Sequence, residues 1–572
     1  MKRKTVLRSL VASTAIFSLT ACGQANLTSP TSVANNSANT APTTVTAAAT
    51  EPDVYCVDAE PAEYPVFTDN SMKTGDVTYA LRESENSLGF AAEDGFWGIP
   101  EDGINWNTEE YANIRENVFK DVSTSPLSTF SADVDSASYS NLRRLINSGY
   151  TLSQIPEGAV RAEEMINYFT YDYKGPEGND PFGVNAEIST CPWNSEHKLL
   201  HLGLQTEAID FSNTPDSNIV LLVDVSGSMS DENKLPLVKE SFSLLIDQLS
   251  EKDTVSIVTY ASGVNVVLEG VSGDKKDKIT NALESLRAGG ATNGTGGIDE
   301  AYRIAEANFI KNGNNRVIIA SDGDFNVGKS SASDLSKQIK EKAEKGIFLS
   351  VLGFGMYNYS DERMETLADD GNGNYAYIDT LHEAKKVLVN ELSANMLTVA
   401  KDVKLQVEFN PKYVSEYRLI GYENRALNNE DFNDNKKDAG EIGAGHSVTV
   451  LYEIVPTTEE NSNTQDLKYQ TCNLTDEALK SNDWLTLSIR YKEPDEDESK
   501  LLEYEIGSNY YTDKPSEDFI FSAAVAEFAM VLRNSEYVAD GSLDHIVEEL
   551  NTIPLKDEYR REFATLVDKV NL

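Results

Sequence analysis

The chain has 572 residues, of which 40% are hydrophobic and 25% charged. That composition excludes a disordered chain, and the length excludes a single ordinary domain, because one core stops growing near ~250–300 residues. Its 49 Lys and Arg stand against 93 Asp and Glu, a formal charge of −44 spread along the sequence, so nucleic acid is excluded as a partner by repulsion of its phosphates.

Lys2, Arg3, Lys4 and Arg8 precede an uncharged, largely apolar stretch at 9–19, too short to span a bilayer permanently. It ends in Leu19-Thr20-Ala21-Cys22. The arrangement is that of an export signal, 1–22, and the tetrapeptide resembles the bacterial lipobox. That resemblance implies cleavage before Cys22, lipidation of Cys22, and a protein held outside the cytoplasm on the cell membrane or the outer membrane. Residues 23–50 are mostly Ser, Thr, Asn and Ala, with two Pro, few apolar residues and no charge, and cannot bury enough surface to fold. They begin a disordered tether and approach segment, 23–107, whose first part reaches on the order of 30 Å as a coil. Cys56, Cys191 and Cys472 allow at most one internal disulfide, whose pairing the sequence leaves open.

A helical region is predicted at 108–182. A short helix opens at Glu109 with Asn107 or Thr108 as N-cap, and further helices cover 139–146 and 161–169. Asp133 and Asp135 read as a turn or helix cap. Residues 183–206 alternate as strands with Leu200, Leu202 and Leu204 on one face. His197 and His201 then stand about 13 Å apart along a strand and do not share a zinc ion.

From 216 to 398 the pattern changes. Apolar runs at 219–223, 255–259, 317–320 and 348–352 alternate with amphipathic stretches at 235–249, 298–309 and 335–343, which predicts a doubly wound, Rossmann-like α/β domain with a parallel sheet covered on both faces. Strands of period two return at 403–409, 448–454 and 485–491, as in a half-solvated antiparallel sheet. The reading is therefore an α/β domain inserted in a β-sandwich, whose parts are 183–215 and 399–510, with helical segments at 108–182 and 511–572. In the last segment Tyr559, Phe563, Leu566, Val567 and Val570 form one stripe and Phe521, Ala524, Val525, Phe528 and Leu532 another; both are assigned to a core.

The first buried run enters Asp224-Val225-Ser226-Gly227-Ser228. Carboxyl ends of parallel strands line the crevice where such sheets bind ligands. One carboxylate and two hydroxyls on alternate positions of a glycine-containing loop can converge on a hard cation, which takes oxygen ligands. The loop Gly289-Gly290-Ala291-Thr292-Asn293-Gly294 adds a hydroxyl at the same edge and Ser321-Asp322-Gly323-Asp324 a carboxylate. Asp370-Gly371-Asn372-Gly373-Asn374-Tyr375 has Tyr375 and Leu381 where an EF-hand needs Gly and Glu, so it is a turn. The glycine-rich run 289–297 lacks the Gly-Lys-Ser/Thr of a phosphate loop.

These three loops together resemble the metal-ion-dependent adhesion site (MIDAS) of von Willebrand factor type A (VWA) domains. The resemblance implies that Ser226, Ser228 and Thr292 coordinate directly, with Thr295 as a possible substitute for Thr292, while Asp224 and Asp322 act mainly through metal-bound water. It implies Mg²⁺, with Mn²⁺ or Ca²⁺ as alternatives, and a protein partner that offers an acidic side chain to the metal. Stretches at 126–131, 163–169, 235–239, 256–260, 321–328, 371–379, 418–425 and 439–446 are similar to bacterial VWA lipoproteins of the YfbK type, over roughly 108–572. The expected function is adhesion or protein–protein interaction at the cell envelope. A Mg²⁺-dependent hydrolase and a purely structural scaffold remain the alternatives; against the first, no Lys or Arg is expected in the loops around Asp224, Thr292 and Asp322.

Overall fold

The strand Ser217–Asp224 is buried at every one of its eight positions, and its side chains sort alternately to two cores. Ile219, Leu221 and Val223 pack against the helices Leu235–Gln248 and Lys276–Glu284, whereas Val220 and Leu222 meet Thr295–Ala307, Ala332–Ala343 and Asp361–Asp370. A strand with apolar side chains on both faces belongs in the middle of a covered sheet. In the computed structural model, described over 109–571 except 110, 112–113, 133–134, 179, 210–214, 293–294, 324–331, 357–360, 436, 438, 459–473, 495, 497 and 540–541, it holds that place. All described residues lie in the unit Pro100–Leu572.

The sheet order is Tyr375–Ile378, Ile347–Phe354, Asn314–Ser321, Ser217–Asp224, Thr254–Tyr260, Val264–Ser272. All neighbours are parallel except the last pair. The chain winds outward from Ser217–Asp224 in both directions, so the crevice of a doubly wound sheet opens at its carboxyl end, beside Asp224. The fold is the expected VWA-type α/β unit. Of its two edge strands, Tyr375–Ile378 packs against the helix Ala137–Asn147, which shields that edge.

Two antiparallel sheets flank the insertion. Ser447–Pro456, beyond the α/β unit, pairs with Asn194–Thr206 ahead of it, with Val450 opposite Leu202 and Val448 opposite Leu204. These strands share a core with Leu405, Val407 and Phe409 of Thr398–Phe409 and with Leu485, Leu487 and Ile489 of Asp483–Lys492. Leu200, Leu202 and Leu204 all face that core, as their alternation requires.

Three expectations need correction. Glu109 and Tyr111 are in irregular chain, not a helix, while 107 and 108 lie outside the described residues. The region read as helical also contributes strands: Lys120–Asp121 pairs with Val414–Ile420, and Leu127–Ser131 pairs with Thr398–Phe409. Phe130, fully buried in the sandwich core, drives that pairing. Finally, Asp483–Lys492 alternates buried and half-buried residues as a half-solvated strand does, but Ser447–Pro456 is buried throughout its middle.

The reason is a helical layer on the outer face of its sheet. Leu199 and Leu451 point outward into a core built from Ala137–Asn147, Ala162–Asn167, Glu517–Leu532, Ser542–Thr552 and Glu558–Asn571. Both predicted C-terminal stripes lie in this layer. Glu517–Leu532 is started by Ser516, whose side chain accepts from the Phe519 amide at 3.1 Å, with Glu517 and Asp518 in its first turn. It is apolar on nearly all sides because it is enclosed. Among the described residues no helix is long and apolar enough to cross a membrane.

Buried ion pairs fasten the α/β unit to its surroundings. Arg143 binds Asp379, Glu383 at 2.7 Å and Glu562 at 3.0 Å. Arg161 binds Glu164 at 3.0 Å, Glu365 at 2.9 Å and Asp361. Asp135, expected as a cap or turn residue, instead accepts from the Tyr375 amide at 3.0 Å and pairs with Arg425 at 3.0 Å; its companion Asp133 lies outside the described residues.

Candidate metal-binding site

Asp224 ends the central strand and is fully buried. The Ser226 amide donates to its Oδ1 at 2.8 Å, closing a turn in which the Ser226 and Ser228 hydroxyls come within 3.0 Å of each other. Met229, wholly buried in the apolar core, anchors this turn from below. Ser226 is buried and Ser228 exposed, so the loop carries its oxygens from the interior to the surface.

The glycine-rich loop is stitched to it. The Gly289 amide donates to Val225 O at 2.8 Å and the Gly227 amide to Gly290 O at 2.9 Å. Gly290 has φ +91°, and a Cβ there would lie 2.6 Å from Ser262 Oγ, which itself accepts from the Ala291 amide at 2.9 Å; only glycine fits. Thr292 follows two residues on and is half-buried. Asp322, the first residue after the strand Asn314–Ser321, is fully buried, and Ser321 Oγ donates to Asp224 Oδ2 at 3.4 Å. Thus Asp224, Ser226, Ser228 and Asp322 meet at one sheet edge with the Thr292 loop bound beside them. For Thr295 only its place at the start of the helix Thr295–Ala307 is described, and Asp324 lies outside the described residues.

Burial raises the Asp224 carboxyl from its ordinary 3.8 to about 6, opposed by hydrogen bonds from Ser226 and Tyr260 and reinforced by the charge of Asp322. Burial, with the neighbouring Asp224 charge, also pushes the Tyr260 phenol well above its usual range. A desolvated carboxylate beside a second one is costly unless a cation compensates it. The donor set of two carboxylates and hydroxyls suits a hard divalent ion. Among the described residues no three His, Cys, Asp or Glu side chains are grouped to hold a metal, so a cation at this edge would need hydroxyl oxygens as well. The two histidines of Asn194–Thr206 have separate partners: His197 binds Glu453 and His201 binds Tyr173, with burial holding His201 down at about 4.

One expectation about the site fails. A cation is present: Lys234 Nζ donates to Asp322 Oδ2 at 2.9 Å, with both side chains buried. It lies ten positions past Asp224, at the N-cap of Leu235–Gln248, and 88 residues from Asp322 in sequence, so the loops themselves did not reveal it. Cys191 carries a buried free thiol, while Cys22, Cys56 and Cys472 lie outside the described residues.

The VWA family description matches residues 218–390, a von Willebrand factor description matches 105–201, and one for the C-terminal part of the uncharacterized protein YfbK matches 394–572. The fold and the sheet-edge loops therefore define a VWA-domain protein. The uncharacterized protein YfbK of Escherichia coli K12 is 41% identical over 473 residues, covering 81% of either chain. The chain belongs to the YfbK family. The human inter-alpha-trypsin inhibitor heavy chain H2 is 27% identical over 196 residues, 32% of this chain and 20% of that one. Among solved structures, a von Willebrand factor type A protein from Catenulispora acidiphila covers 67% of this chain and 88% of its own at 14% identity, with a TM-score of 0.38. The ArnB paralog VWA2 from Sulfolobus acidocaldarius covers 68% and 98% at 14% identity, with a TM-score of 0.33.

Proposed function

We propose that this chain is a cell-envelope lipoprotein that binds Mg²⁺ through Asp224, Ser226, Ser228, Thr292 and Asp322 and presents it to an acidic side chain of a protein partner. The observation that carries this reading is the graded burial of the site. Its carboxylates are sealed at the sheet edge, whereas Ser228 is exposed and Thr292 half-buried, so a ligand from outside can reach an ion held between them. Bound there, the ion supplies a focused positive charge that a partner carboxylate can neutralise by a charge-assisted contact. Ser226, Ser228 and Thr292 would coordinate it directly and Asp224 and Asp322 mainly through its bound water, and the stitched Gly289–Gly290 segment keeps the hydroxyl loops in register. The N-terminal charges, the short apolar stretch and Cys22 support a lipid anchor outside the cytoplasm, with 23–107 as spacer.

The test is binding of a Glu- or Asp-containing peptide library to purified protein with Mg²⁺ and again with EDTA, alongside a phosphatase assay. Retention that Mg²⁺ confers and EDTA abolishes, without hydrolysis, supports the reading. Metal-dependent hydrolysis would instead indicate the enzyme, and metal-indifferent behaviour in both assays the scaffold.

A further inference from the structure

Lys234 is held in its place by construction. Its aliphatic stem lies against Gly355, where a Cβ would come within 2.4 Å of Lys234 Cε and 2.7 Å of Cγ. Gly355 has φ +81°, a conformation glycine adopts freely, and the buried Tyr377 hydroxyl donates to its carbonyl. The slot directs the ammonium onto Asp322 at 2.9 Å, where the two side chains are 6% and 0% exposed. An ion pair so enclosed is little screened by solvent.

From this geometry we propose that Lys234 is a built-in counter-ion of the metal site, which weakens Mg²⁺ binding on its own and makes the ion hold firmly only together with an acidic ligand. The proposal rests on the metal-site reading above. Two carboxylates would neutralise Mg²⁺ alone, but Lys234 already claims part of the charge of Asp322. The loaded site then carries a net positive charge, and an incoming carboxylate restores neutrality. Metal and acidic ligand thereby strengthen each other, and by linkage the effect is reciprocal.

The experiment is calorimetric titration of the full chain with Mg²⁺, with and without acetate as carboxylate probe, for wild type, Lys234→Met, Lys234→Gln and Lys234→Arg. Circular dichroism confirms folding of each. Both neutral variants are expected to bind Mg²⁺ alone about tenfold or more tightly than wild type, with a smaller gain from acetate, while Lys234→Arg behaves as wild type. Wild-type Mg²⁺ binding that is unchanged or weakened in both neutral variants overturns the counter-ion role and leaves the metal site standing. Absence of Mg²⁺ binding in every protein overturns the metal site and this role with it.

Discussion

Lowering the pH from 8 to 5 should release the metal through Asp224 before the fold itself is disturbed. Burial raises this carboxyl from 3.8 to about 6, a shift of about two units, or ~3 kcal/mol between its protonated and ionised forms at 1.36 kcal/mol per unit. In the metal-free protein the folded state therefore binds a proton more readily than the unfolded chain. The stability this contributes is fully present below about pH 4 and is lost as pH rises through about 6, so at neutral pH Asp224 strains the metal-free fold by up to ~3 kcal/mol. A divalent cation relieves that strain, because it favours the ionised form. Mg²⁺ affinity should thus be nearly constant above pH 7 and fall about tenfold per unit below pH 6, while Asp224→Asn abolishes both the binding and its pH dependence. Calorimetric titration at half-unit intervals measures this. Affinity that is flat between pH 5 and 7, or undiminished in Asp224→Asn, would refute the assignment of Asp224 as the buried carboxylate of the site.

Arg161→Met should cost about 3–5 kcal/mol in urea unfolding, because it leaves the buried Glu164 and Asp361 without their shared guanidinium; a loss under 1 kcal/mol would show that water already screens the cluster. Thr292→Ala removes one neutral oxygen from a half-buried loop position, so peptide retention with Mg²⁺ should weaken while the unfolding free energy stays within about 1 kcal/mol of wild type, as for other substitutions outside a core. Cys22→Ser should leave the exported precursor uncleaved and free of incorporated palmitate, and normal labelling of that variant would dispose of the anchor.

The parts of the fold that were legible in the sequence are those where burial writes a continuous pattern. Ser217–Asp224, Thr254–Tyr260, Asn314–Ser321 and Ile347–Phe354 are enclosed on both faces, so each carries a largely apolar stretch, interrupted inside only by small hydroxyl residues at Ser256, Thr259 and Ser350. Leu127–Ser131 was hidden because only Leu127 and Phe130 are apolar among its five residues, and its pairing with Thr398–Phe409 spans more than 250 positions. The cover on Ser447–Pro456 was equally invisible, since alternation shows which residues face inward but not what lies on the other side.

At the site, the loop after the first strand and Asp322 were legible because local spacing places them. Lys234 was not: its spacing from Asp322 carries no periodic signal, and only the slot at Gly355 directs it inward. Arg143, Arg161 and Arg425 illustrate the same limit, since a charged residue that serves a buried network looks in sequence like one that faces solvent.

The most direct measurement is anomalous diffraction from crystals of the protein soaked in Mn²⁺, a divalent ion that can be located by its own scattering. The account predicts a single strong peak at the carboxyl edge of the central sheet, between Asp224, Ser226, Ser228, Thr292 and Asp322, that vanishes in Asp224→Ala crystals. A peak elsewhere, or none at millimolar Mn²⁺ and pH 7.5, would contradict it.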